Sequence, residues 1–167
     1  MKFSSKMKKT MAEMNKKTAG MLLIIMIAAF LCSRYWIQVV LVQGNSMEPT
    51  IHPMQFIMID KMTNSFSKGD IIVFQKSGIK GSIVKRIVAG PGDTVIIQNG
   101  TLFVNGEAQS DERRIIQEAG RAESEISLRK NRYFVMGDNV NNSIDSRFVD
   151  IRDVWREEIL GKVILIK

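Results

Sequence analysis

The tightest constraint on this chain is a strand-like run holding two charges that a strand interior cannot solvate. Residues 82–88 read Ser-Ile-Val-Lys-Arg-Ile-Val, with every residue between Ser82 and Val88 β-branched except the two adjacent cations. On a strand, Lys85 shares a face with Ile83 and Ile87, while Arg86 shares the other with Val84 and Val88. A strand apolar on both faces is usually buried on both. A lysine in apolar surroundings loses the hydration that favours its protonated form, so its pKa falls. It then serves as a general base near neutral pH, and Ser46 is the nucleophile the chain offers it. The competing reading is an edge strand from which Lys85 snorkels into water.

The N-terminus carries most of the net charge. Residues 1–17 hold six lysines and one glutamate, which is +5 of the total +7 and leaves +2 for the rest of the 167-residue chain. No Lys/Arg stripe interleaved with aromatics follows, so nucleic acid is not an expected partner. Residues 19–32 contain no charge and no proline. Extended to 18–36, with Arg34 snorkelling and Tyr35 and Trp36 at the interface, the segment reaches the length of a membrane span. Lysines precede it and almost no cations follow, so the positive-inside bias places residues 1–17 in the cytoplasm and 37–167 outside. A cleavable signal peptide is the alternative. Against it, no small-x-small site with a polar start follows Cys32, and apolar character resumes at Ile37. Cys32 and His52 are the only cysteine and histidine, which excludes an internal disulfide and argues against a soft-ligand metal. His52, in Ile-His-Pro, reads as a loop residue.

Beyond residue 36, short β-branched runs alternate with turn signals. Strands are expected over 39–42, 55–59, 70–74, 83–89, 94–98, 101–105, 133–136 and 163–166. Gly90-Pro91-Gly92-Asp93 marks a turn, and Asn99-Gly100 suits a two-residue type I′ hairpin. The pattern predicts a mostly antiparallel, partly closed all-β domain. Residues 107–131, dense in charge at Asp111-Glu112-Arg113-Arg114, read as a solvated excursion with some helix. Residues 150–159 read as a short helix or irregular segment.

Three segments carry candidate chemistry. Gly44-Asn45-Ser46-Met47-Glu48-Pro49-Thr50 leaves a strand and turns at a proline. Such a turn projects Ser46 and offers its N–H to an oxyanion, although serine beside glycine and proline also makes ordinary loops. Lys85 sits in the second. The third, residues 137–147, reads Gly-Asp-Asn-Val-Asn-Asn-Ser-Ile-Asp-Ser-Arg and follows an apolar strand. A calcium loop fails there, because Val140 takes a ligand position and no glycine stands sixth; a polar structural turn is the other alternative.

Taken in order behind one apolar segment, GNSMEPT, KGDIIVF, VKRIVAGPGD and YFVMGDNVNNSIDSR closely resemble the bacterial type I signal peptidases. These are membrane-anchored serine endopeptidases with a Ser/Lys dyad and a signal-peptidase or LexA-like β fold. The resemblance covers about residues 18–105 and 132–167. It implies Ser46 as nucleophile and Lys85 as general base, and Ser143 as the hydroxyl that bonds and orients the lysine. It also implies ion pairs among Asp138, Asp145, Arg86 and Arg147 that hold the third segment against the lysine strand. Val42, Met47, Ile51, Ile83 and Val84 are candidates for shallow apolar pockets that admit small side chains. Expected partners are the signal peptides of exported preproteins and the lipid bilayer, with no cofactor, no metal, no nucleic acid and a monomeric state. Gly44 departs from members that place a serine two residues before the nucleophile as a second oxyanion donor. The short excursion points to a compact, Gram-positive-like form, and Lys85 argues against the reticulum type with its histidine base. An autocleaving repressor-type peptidase needs no anchor. A tethered β domain that only binds exported chains, or a purely structural module, needs neither Ser46 nor Lys85.

Overall fold

The computed structural model describes residues 2–109 and 115–166, with side chains for these except 2–14, 32–35 and 165. The run 111–114 and the flank at Cys32, Arg34 and Tyr35 therefore fall outside the described residues or side chains. The chain divides into two compact units, Met1–Ile37 and Gln38–Lys167. The first is helix α1, Lys2–Tyr35. Its residues 19–31 are exposed, including Leu22, Ile24, Met26 and Phe30. Among the described residues, no helix is long and apolar enough to cross a membrane.

The rest is antiparallel β structure. In chain order the strands are β1 Ile37–Leu41, β2 Phe56–Asp60, β3 Ile71–Phe74, β4 Ile83–Ala89, β5 Thr94–Gln98, β6 Thr101–Val104, β7 Glu107–Ala108, β8 Ile126–Ser127, β9 Arg132–Met136, β10 Val154–Trp155 and β11 Ile159–Ile166. One sheet runs β1-β2-β11-β3-β4-β9-β10, the other β7-β6-β5-β8. Asn99 and Gly100 both take positive φ, 50° and 76°, so Gln98 pairs directly with Thr101 as a type I′ turn requires. The β4 strand lies between β3 and β9, away from any edge, which removes the snorkelling alternative for Lys85. Its face with Lys85, Ile87 and Ala89 is buried, whereas Val84, Arg86 and Val88 are half-buried.

Two expectations need correction. The excursion is not simply solvated. Ile116, Ala122 and Leu128 are buried in a cluster with Val95, Leu102 and Phe134, and a 3₁₀ turn at Gly120–Glu123 supplies Ala122. Three apolar residues spread over thirteen positions leave no periodicity to read, yet each plugs the open face of the second sheet. The last strand also begins at Ile159, not at residue 163, after β10 and a 3₁₀ turn at Arg156–Glu158. Gly161 masks it in the sequence. A Cβ there would lie 2.5 Å from the Asp60 carbonyl oxygen, so the close β2–β11 approach demands the residue that strand propensity disfavours.

Candidate active site

Ser46 stands on a tight turn after β1. Gly44 takes φ +85°, where a side chain would be strained. Glu48 N–H donates to the Asn45 carbonyl (3.1 Å) and Ile51 N–H to that of Met47 (2.9 Å). Val42 exchanges backbone bonds with Gln55 and Met54, 2.9 Å each, and so ties down the base of the turn. Lys85, on β4 opposite Ile72, reaches the turn from the neighbouring sheet interior. Its Nζ donates to Ser46 Oγ at 2.5 Å. The lysine is 4% exposed. Burial pushes its pKa down to about 8; Asp145 and Asp138 oppose this and Arg147 assists it.

The segment 137–147 packs behind this pair. Arg86 forks onto Asp138, Nε to Oδ1 at 2.8 Å and Nη2 to Oδ2 at 2.6 Å, and also donates to the Gly69 carbonyl. The hydrogen bond to Asp138 raises the Arg86 pKa, so this cation stays charged. Asp145 and Arg147 form a second fork, Nε to Oδ1 at 2.8 Å and Nη2 to Oδ2 at 2.9 Å, in a fully buried setting. Asp145 accepts further bonds from Gly137 N–H and the Ser143 hydroxyl, and Arg147 donates to the carbonyls of Val140, Ser143 and Glu118. A buried ion pair is tolerable when its remaining donors and lone pairs are satisfied in this way. Beside the two polar groups runs a groove of about 440 Å³, lined by Val42, Met47, Ile83 and Val84 together with Ser46 and Lys85. Among the described residues no three His, Cys, Asp or Glu side chains come together as metal ligands.

The signal peptidase family model, peptidase S26, matches residues 15–167. The chain belongs to that family. Signal peptidase I P of Bacillus subtilis subsp. natto is 36% identical over 138 residues, covering 75% of each chain. Signal peptidase I U of Bacillus subtilis (strain 168) is 35% identical over 144 residues, 78% of this chain and 77% of the relative. A signal peptidase I structure from Enterococcus faecalis V583 aligns with 60% of this chain and 97% of its own, at 25% identity and a TM-score of 0.48. The family assignment rests on the sequence matches.

In this family member the sequence-predicted residues gather with two exceptions. Ile51 does not line the groove. It is fully buried in a core cluster with Met47, Ile57 and Ile59, because the turn after Ser46 folds it beneath the sheet. Ser143 was expected to bond the lysine, but its hydroxyl donates to Asp145 Oδ2 at 2.8 Å. The two forks also differ from a single set of clamps. Only Arg86–Asp138 joins β4 to the 137–147 segment, whereas Asp145–Arg147 is internal to it. Sequence reading missed Gly137. A Cβ there would lie 2.3 Å from Ser143 Oγ and 2.4 Å from the Ser46 carbonyl oxygen, so only glycine lets the segment abut the serine turn. A glycine directly after an apolar strand was the available signal.

Proposed function

We propose that the protein is a membrane-anchored serine endopeptidase that removes signal peptides from exported preproteins after a small-x-small site, with Ser46 as nucleophile and Lys85 as general base. The observation that carries this reading is the 2.5 Å approach of Lys85 Nζ to Ser46 Oγ at an amine dried enough to titrate at about 8. Once neutral, Lys85 takes the hydroxyl proton as Oγ bonds to the scissile carbonyl carbon, and the carbonyl electrons move onto oxygen. Collapse expels the amine, which receives the proton from Lys85, and the lysine next deprotonates the water that releases the acyl group. Val42, Met47, Ile83 and Val84 give the groove shallow apolar walls suited to alanine-sized side chains. The Asp145–Arg147 fork fixes the charge environment of the lysine, and Arg86–Asp138 fixes its strand against the supporting segment.

Residues 18–36 serve as the anchor, with 1–17 cytoplasmic and 37–167 outside. The apolar side chains exposed over residues 19–31 of α1 support this, since lipid is the solvent such a surface suits. Anchoring enzyme and signal segment in one bilayer raises their effective concentration. The test is processing of an Ala-x-Ala preprotein by the full chain in vesicles. Ser46→Ala and Lys85→Ala accumulate uncleaved preprotein while retaining cooperative unfolding. Wild-type processing by either variant removes the dyad.

A further inference from the structure

We propose that Asn139 is a positioning residue that turns the backbone N–H groups of the serine loop into the groove, building the oxyanion site from behind. The inference rests on Ser46 being the nucleophile. Asn139 grips two successive carbonyls of the turn: its backbone N–H donates to the Ser46 oxygen at 3.0 Å, and its Nδ2 donates to the Asn45 oxygen at 3.2 Å. The only cis bond among the described residues is Glu48–Pro49, so both gripped peptide units are trans. In a planar trans unit the N–H points opposite to the C=O. Drawing the Asn45 and Ser46 carbonyls toward Asn139 therefore turns the N–H groups of Ser46 and Met47 away from it. Neither N–H finds an acceptor among the described residues.

Asn139 lines a separate cavity with Glu48, Pro49 and His52, and that cavity shares no residue with the groove holding Ser46 and Met47. Two successive N–H groups aimed at one side form a concavity for an anion, which supplies the pair of donors that Gly44, lacking a hydroxyl, cannot complete. An asparagine suits the grip because its Nδ2 donates. An aspartate would set oxygen against oxygen.

The test uses the full chain in vesicles, a cleavage-site peptide, and the matching peptide aldehyde, whose adduct with Ser46 carries the oxyanion. Asn139→Ala and the isosteric Asn139→Asp are expected to lower kcat about tenfold to a hundredfold, since a donor is misaimed rather than removed. KM stays within about twofold, the aldehyde Kd rises in step with the fall in kcat/KM, and the pH midpoint set by Lys85 stays in place. Asn139→Asp guards against loop collapse in the alanine variant. If it folds like the wild type and keeps wild-type kcat, the proposal is overturned. Equal weakening of aldehyde and of an uncleavable substrate peptide also overturns it, because that signature belongs to a damaged groove. Turnover by Ser46→Ala would sink the nucleophile assignment itself, whereas fully active Asn139 variants beside a dead Ser46→Ala sink only this inference.

Discussion

The two faces of β4 carry neighbouring cations with opposite fates. Arg86 faces Asp138, forks onto it, and is held charged. Lys85, one residue away on the buried face, meets a hydroxyl at 2.5 Å, and its pKa is pushed down to about 8. Asp145 lies close enough to favour the lysine's charge, but its oxygens are already taken by Arg147, Gly137 and Ser143. What separates the two cations is therefore burial, which dominates at Lys85, together with the allotment of carboxylates, which gives Arg86 a direct partner and Lys85 none. An ion pair keeps one side chain structural, and withholding a direct partner leaves the other free to exchange a proton.

Exchanging the cations is the strongest way to break this comparison. Lys85→Arg keeps the charge but places a group that does not deprotonate against Ser46, and peptide cleavage is expected to fall by about 10³-fold, within the range a general base supplies. Arg86→Lys keeps a cation beside Asp138 but loses the fork. It should cost about 1 kcal/mol of stability and leave the rate within a few fold. Rate assays and urea unfolding on both variants decide the matter. An active Lys85→Arg enzyme, or an Arg86→Lys enzyme equally dead, erases the distinction between the faces.

The asymmetry was partly legible in the sequence. Two cations amid β-branched residues announce that something unusual neutralises or pairs them, and the polar segment 137–147 supplies carboxylates. Strand alternation also fixed the faces of β4, which is why its bounds and those of β5 agree between pattern and structure. What the pattern lacked was direction in the irregular segments. Whether Ile51 faces the groove or the core depends on how the turn folds after Ser46, and no periodicity exists there to tell. Which oxygen takes the Ser143 hydroxyl depends on loop geometry of the same kind. Gly161 and Ile116 were hidden because one breaks strand propensity for a close backbone approach and the other belongs to an Ile115-Ile116 pair among charges, of which only Ile116 turns inward.

A smaller but opposite-signed effect sharpens the comparison through stability. The lysine gives up its proton at about 8 in the folded protein, against an ordinary value of 10.5. Between those values the unfolded chain binds more protons, so stability rises with pH across that window. Below about 8 the folded protein bears the full penalty of a buried ammonium, about 3 kcal/mol. Lys85→Met, apolar and of similar length, is expected to gain about 1–3 kcal/mol in urea unfolding at pH 7, with the gain closing as pH approaches 10.5. Arg86→Met should lose stability over the same range, because it removes the two-point fork onto the buried Asp138 carboxylate. A Lys85→Met variant less stable than wild type at pH 7 would mean that the amine is not held against its charge.

The smallest effect concerns the lone histidine, which is the natural rival for control of the pH profile. His52 lies six residues beyond Ser46, and its Nδ1 sits 3.2 Å from Glu48 Oε1, with the histidine side chain exposed and the glutamate partly so. An exposed pair of this kind contributes about 0–1 kcal/mol and screens readily with salt. The rate should rise with pH through a midpoint near 8, as deprotonation of Lys85 creates the base. His52→Ala is expected to leave that midpoint where it is and to change kcat/KM by less than about twofold. A clear movement of the midpoint would place the imidazole in the proton traffic. The division between a titrating buried face and an inert charged one would then no longer describe how this site works.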